Sequence, residues 1–198
     1  MDTAAPSSSG RRSRLTPERA GELFTAVLEL VKESGYEAMT MDAVAARTRS
    51  SKATLYRQWN GKPQLVAAAL RHHKPGNTND IDTGSLRGDL HELARRTEES
   101  APDTELLAAV SHAILRNPEL GEALREHIIE PERASLAAVL DRAERRGEIR
   151  PDASAREFLM HMLVGILPAR KIVEDRFVDA EFMIRYIDSV ILPALRHS

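Results

Sequence analysis

The stretch Thr40–Lys62, TMDAVAARTRSSKATLYRQWNGK, constrains this chain more than any other part of it. Its apolar positions follow a helical period for only about two turns before polar residues interrupt them, so no single helix can run through it. Thr40 is a hydroxyl N-cap for one short helix, in which Met41, Val44 and Ala45 face inward and Arg47 faces out. Thr48-Arg49-Ser50 must then be the turn. Ser51 caps a second short helix whose Leu55 and Trp59 point to the core, leaving Lys52, Thr54, Tyr56 and Arg57 for the opposite face. Helices this short are not stable alone and need a third behind them. The basic, hydroxyl and phenol groups left outside suit a DNA backbone.

The flanking sequence supplies that support. Thr16-Pro17-Glu18 is a helix start, with a hydroxyl cap, a proline where its missing N–H does no harm, and an acid at the positive end of the dipole. Ala20, Leu23, Phe24, Val27, Leu30 and Val31 then form the stripe of a core-facing helix, which Gly35 ends near Ser34. After Asn60-Gly61 a fourth helix begins at Lys62-Pro63, with Leu65, Val66, Ala69 and Leu70 as its seam. Lys62 therefore stands beside unpaired helical N–H groups, a good position for a phosphate. Met1–Gly10 is small, polar and Ser-rich and reads as disordered; Arg11, Arg12 and Arg14 fit either a solvated leader or a basic arm touching DNA. Pro75–Gly84 is a polar linker. The expected organisation is an arm over 1–15, a helix-turn-helix head with its linker helix over 16–76, and a second domain over 77–198.

That second part reads as amphipathic helices over about 86–100, 104–116, 118–146, 154–172 and 179–195, with Pro131 kinking the long one. Helix formers dominate, aromatic residues are only 4%, and no alternating β pattern occurs, so the chain is all-α, with about nine helices. The last two helices are apolar on more than one face: Phe158, Leu159, Met162, Leu163, Ile166 and Leu167, then Phe182, Met183, Tyr186, Ile187, Val190, Ile191 and Leu195. Burial against a second copy of the chain is the preferred explanation over an unusually thick single core. Residues 1–76 carry 12 Lys and Arg against 7 Asp and Glu, whereas residues 77–198 carry 16 against 23, which suggests that only the N-terminal end meets a polyanion. The absence of cysteine removes disulfides and thiolate chemistry, and with no apolar leader or span a cytoplasmic location away from membranes is expected.

Taken together, Gly35-Tyr36, Thr40-Met41, Val44-Ala45, Ser51-Lys52-Ala53-Thr54-Leu55-Tyr56, Trp59, Lys62 and Leu65 resemble the DNA-binding head of a TetR-family transcriptional regulator in order and spacing. More loosely, Asn117-Pro118, Glu130-Pro131-Glu132-Arg133 and Arg146-Gly147-Glu148-Ile149 are similar to the bodies of many actinobacterial-type members. The resemblance implies a three-helix DNA-binding head, a larger helical ligand-sensing body, and dimerisation by the last two helices as a four-helix bundle. It places Thr40, Ser51, Lys52, Thr54, Tyr56 and Lys62 where family members contact DNA, mostly at phosphates. Arg49 and Arg57 are the candidates for base or near-base contact. Three positions depart from the family pattern: Arg49 stands where a turn glycine is usual, Ser50 where an apolar residue is usual, and Gln58 where His is frequent. At a positive φ, Arg49 would cost about 1–2 kcal/mol.

Other chemistry is not expected. His72 and His73 are adjacent and diverge on a helix, and no HExxH, CxxC, paired-acid or Gly-rich phosphate motif occurs, so neither metal nor cofactor is expected. His112, Arg116, His127, His161 and Met162 are candidate linings of an effector cavity, although each histidine also reads as an ordinary helical one. An all-α enzyme or carrier lacks a nucleophile–base pair. A plain interaction module has no reason to gather Lys52, Thr54, Tyr56, Arg57 and Lys62 on one surface. The expected function is a ligand-responsive DNA-binding repressor, dimeric on a palindromic double-stranded operator and released by a small molecule.

Overall fold

A computed structural model of the chain describes residues 16–73, 80–99 and 104–197. The Ser-rich leader, the arginines at 11, 12 and 14, and the first half of the linker lie outside the described residues. Helices α1 (Pro17–Ala38), α2 (Met41–Thr48), α3 (Lys52–Trp59) and α4 (Lys62–His73) are followed by α5 (Leu86–Glu99), α6 (Thr104–Arg116), α7 (Pro118–Leu124) and α8 (Glu130–Arg145), then α9 (Leu159–Glu174), α10 (Ala180–Tyr186) and α11 (Leu192–His197). α7 and α8 are joined by a π-helical turn, Arg125–Ile129, and α10 and α11 by another, Ile187–Ile191. Counting across these turns gives nine helices among the described residues, as expected of an all-α chain.

Local chemistry sets the helix ends. Thr16 accepts from the Arg19 N–H at 3.3 Å, Thr40 from Ala43 at 3.1 Å and Ser51 from Thr54 at 3.1 Å, each satisfying a first-turn donor that has no partner within its helix. At Gly35 the backbone leaves helical geometry, with φ 79° and ψ 160°, a region open to glycine alone, so the regular part of α1 stops at Ser34 as expected. The break turns Tyr36 and Met39 inward, leaving them 3% and 1% exposed.

The long body helix accommodates Pro131 by a route that periodicity does not specify. Its ring excludes the carbonyl four residues back, His127, and it has no N–H to offer that carbonyl. The helix widens by one residue just before it, so that the Glu130 N–H bonds to Arg125 O. Pro193 follows the second π-helical turn in the same register, with the Leu192 N–H on Ile187 O.

The apolar residues form two cores. The first joins Leu23, Val27 and Val31 of α1 to Val44, Leu55, Leu65 and Val66, and continues without a break into Leu106, Val110 and Ala113 of α6 and Leu120, Ala123 and Leu124 of α7. The second gathers Leu86 and Leu90 of α5, Leu136 and Leu140 of α8, Leu159 of α9 and Met183, Ile187, Ile191 and Leu195 near the C-terminus. Leu55, the residue that anchors α3, is fully buried, and its truncation to alanine is expected to cost about 2–5 kcal/mol. Phe158, Val164, Ile172 and Val190 stay on the surface of the last helices, Ile172 at 83% exposure. Behind them Arg170 is buried, bonded to Glu174 and Asp179 and stacked 3.9 Å over the Phe182 ring, which fixes the corner between α9 and α10.

Candidate nucleic-acid interface

The turn between α2 and α3 decides how α3 is presented. Arg49 has φ 51° and ψ 37°, the left-handed conformation. Its N–H reaches Ala46 O at 3.4 Å, while the Ser50 N–H reaches Ala45 O at 3.0 Å, the two reverse bonds of a Schellman cap. At the end of α8, Gly147 makes the same pair of bonds, to Glu144 O and from Glu148 to Ala143 O, with φ 74°. The interface thus uses a left-handed arginine where the body uses a glycine. Arg19 of α1 donates to Thr48 O and braces the turn from behind.

The turn seats Leu55 inward and turns Ser51, Lys52, Tyr56, Arg57 and Gln58 to solvent, Tyr56 at 46% exposure. Thr54 is half-buried, its hydroxyl 2.8 Å from that of Ser51, so these two side chains serve the cap first and carry hydroxyls to the rim of the exposed face. Trp59 packs edge-on against Phe24 with ring centroids 5.6 Å apart, which ties the far end of α3 to α1. Arg49 and Arg57 are exposed and bear no carboxylate partner among the described residues.

The other cations among the described residues of the head are engaged. Lys52 Nζ lies 2.8 Å and 3.1 Å from the two carboxylate oxygens of Asp42, a hydrogen bond that raises the lysine above its ordinary pKa. Arg47 makes a two-pronged pair with Glu33, 2.7 Å on each arm, lowering the acid and raising the base. Lys62 heads α4 as expected, yet its ammonium turns back to Glu37 O at 3.2 Å and sits 4.2 Å above the Tyr36 ring. Partial burial there lowers the Lys62 pKa against the opposing pull of Glu37, and burial pushes the Tyr36 phenol up to about 12. Sequence reasoning missed Asp42, Glu33 and Glu37 because their partners come from other helices. For Asp42 the available signal is its place in the first turn of α2, ten residues before Lys52 and across the turn at Arg49.

The five residues singled out for an effector lie on three separate elements. His112 and Arg116 are exposed on α6; His161 is exposed on α9, with its ring 6.2 Å from that of Phe158; Met162 packs against the second core. His127 is half-buried in the π-helical turn, and its carbonyl accepts from Arg71 Nη1 of α4 at 3.2 Å. A surface cleft of about 330 Å³ between α5 and α11, lined by Arg87, Asp188, Leu192, Pro193, Arg196 and His197, contains none of the five. Among the described residues no group of three or more His, Asp or Glu side chains could hold a metal ion, and no helix is long and apolar enough to cross a membrane.

Comparison with known proteins agrees with this geometry. Residues 23–69 match the family model described as bacterial regulatory proteins, tetR family, and residues 80–190 match the tetracyclin repressor-like C-terminal domain. An uncharacterized HTH-type transcriptional regulator of Mycobacterium tuberculosis is 36% identical over 181 residues, 91% of this chain and 89% of the relative. A DNA-binding transcriptional repressor TetR of Mycobacteroides abscessus is 31% identical over 185 residues, 90% of this chain and 94% of the relative. The crystal structure of a TetR family transcription regulator superposes with a TM-score of 0.63 at 27% identity, covering 89% of this chain and 98% of that one. The head that turns Tyr56, Arg57 and Arg49 to solvent is a regulator's DNA-binding head, not part of an enzyme, and the chain belongs to the TetR family of bacterial transcriptional regulators.

Proposed function

We propose that the protein is a repressor that binds a palindromic operator as a homodimer and is released by a small molecule. Regulators of this family bind DNA as dimers and respond to small-molecule ligands. The observation that carries the reading is the face of α3: a helix anchored by fully buried Leu55 and turned outward with Lys52, Tyr56, Arg57 and Gln58 exposed. In the proposed complex α3 enters the major groove. Thr40, Ser51, Thr54 and Tyr56 position the head through their hydroxyls, Lys52 and Lys62 neutralise phosphates, and Arg49 and Arg57 reach guanine edges.

The dimer is proposed to form through α9 and the α10–α11 helix. Val164 and Ile172 are exposed along α9, Phe158 just before it, and Val190 on the other, as expected of a surface awaiting a second copy. Two α3 helices related by a two-fold axis require half-sites about one helical turn, roughly 34–36 Å, apart. An effector held by the body acts by favouring a state with the wrong head separation. Of His112, Arg116, His127, His161 and Met162, His127 is best placed to transmit that change, since α4 is bonded to its carbonyl through Arg71. The reading is tested by selecting bound duplexes from a random pool with the purified protein. A palindrome with half-site centres about 10–10.5 base pairs apart, or a multiple, is expected; enrichment of a single unrepeated half-site would refute the dimeric mode, and no enrichment the specific one.

A further inference from the structure

Asp42 is the only acidic residue between Thr40 and Lys62, a stretch that holds Arg47, Arg49, Lys52, Arg57 and Lys62. It stands in the first turn of α2, and the turn at Arg49 brings it to Lys52 at the start of α3, with both carboxylate oxygens within 3.1 Å of the ammonium. The pair is open to solvent, with 70% of the Asp42 side chain and 53% of the Lys52 side chain exposed. Neither residue is part of either core, so the packing of the head does not require the contact.

We propose that Asp42 is an affinity-limiting residue of the DNA interface, holding the Lys52 ammonium where a phosphate would otherwise sit; the proposal rests on the DNA-binding reading above. An exposed ion pair is weak, so a phosphate fixed in position can displace the carboxylate. Phosphates are fixed in position when α3 is seated by base-edge contacts, as on an operator. On other duplexes the head docks loosely through charge alone. There Asp42, covalently held beside Lys52, out-competes a phosphate that has no fixed place. Lys52 thus joins the complex on the operator, at the cost of its pair with Asp42, and abstains elsewhere, so the acid lowers affinity for both kinds of duplex.

The measurement is fluorescence anisotropy of the full chain, over a series of KCl concentrations, on a duplex enriched from the random pool and on a scrambled duplex of equal length. Asp42→Asn is expected to tighten binding to both duplexes at low salt, roughly two- to tenfold, the enriched one at least as much as the scrambled one, and to steepen the log–log salt slope on the scrambled duplex by about 0.9 per head. Asp42→Glu should retain wild-type behaviour. In a Lys52→Ala background the Asp42→Asn effect should vanish; its persistence would mean that Asp42 acts only as a general repulsive charge and would overturn the proposal. An unchanged scrambled-duplex slope in an Asp42→Asn protein with a wild-type melting temperature would overturn it equally. Wild-type protein that binds neither duplex at low salt would instead defeat the DNA-binding reading itself.

Discussion

Replacing Arg49 by glycine should make the protein more stable and its DNA complex weaker. In the left-handed conformation a β-carbon crowds the following carbonyl, at a cost of about 1–2 kcal/mol; Arg49 holds φ 51° there to close the cap on α2. Glycine removes the crowding but gains freedom in the unfolded chain, which takes back about 0.4–1 kcal/mol. The net expectation is a stabilisation of roughly 0.5–1 kcal/mol, or about 1–4 °C in Tm for a chain of this size. Alanine is the necessary comparison, because it removes the same guanidinium and keeps the β-carbon.

The assay is a pair of thermal melts followed by circular dichroism at 222 nm, with the wild type run beside Arg49→Gly and Arg49→Ala. Arg49→Gly should melt above Arg49→Ala, and Arg49→Ala close to the wild type, because the arginine side chain has no carboxylate partner among the described residues to lose. Both variants should bind an operator duplex less tightly. If Arg49 reads a guanine edge, the loss is about 1–3 kcal/mol per head and the base preference at one position relaxes; if it touches a phosphate, the loss is uniform and the salt slope falls by about 0.9. Equal melting temperatures for the glycine and alanine variants would refute the strain argument. Selected operators unchanged in sequence preference would refute the base contact.

Three further outcomes are expected. Lys62→Ala should weaken binding to every duplex and lower the salt slope by about 0.9 per head, as read by anisotropy against KCl; an unchanged slope removes Lys62 from the phosphate contacts. Val164→Glu, which puts a charge on the exposed face of α9, should shift the protein from dimer to monomer at micromolar concentration in sedimentation velocity, whereas a wild-type protein that is already monomeric refutes the proposed interface. Asp188 accepts two hydrogen bonds from Arg87, at 2.9 and 2.8 Å, and another from His91 at 2.9 Å, and these hold its carboxyl well below the ordinary range despite the opposing effect of burial. A carboxyl depressed on folding contributes its stability above the unfolded value of about 3.9 and loses it as pH falls below that value. Asp188→Asn should therefore cost about 1–3 kcal/mol at pH 7; the variant should lose less additional stability than the wild type between pH 5 and pH 3 in urea melts.

The features legible in the sequence were those carried by neighbours along the chain. Thr16, Thr40 and Ser51 each bond to an N–H three residues on, so the residue type and its place announce the cap, and the structure has all three. Leu55 and Tyr56 fall on opposite faces because helical period alone separates them. The turn was harder, since a glycine would have announced the left-handed conformation and Arg49 disguises it. Pro131 states that a donor is missing without stating how the helix adapts, and a π-helical turn is one of several answers. Pro193 produces the same answer in a helix whose sequence gave no expectation of a bend. The cavity candidates rest on side-chain chemistry alone. Lining a cavity depends on which helices adjoin, and α6 and α9 belong to different cores.

The seam between the two cores does not follow the linker. Leu106, Val110, Ala113, Leu120, Ala123 and Leu124, all beyond residue 100, are packed with α1 and α4. Anyone building a chimeric regulator by grafting a foreign head onto this body at residues 74–79 would cut through a continuous apolar interior and leave these six side chains facing an unrelated surface. The transferable unit is discontinuous in the chain: residues 16–73 together with α6, α7 and the π-helical turn that follows, which holds His127 and Ile128. A graft that carries both pieces preserves every contact of the first core, and with it the mechanical connection from His127 through Arg71 to the head.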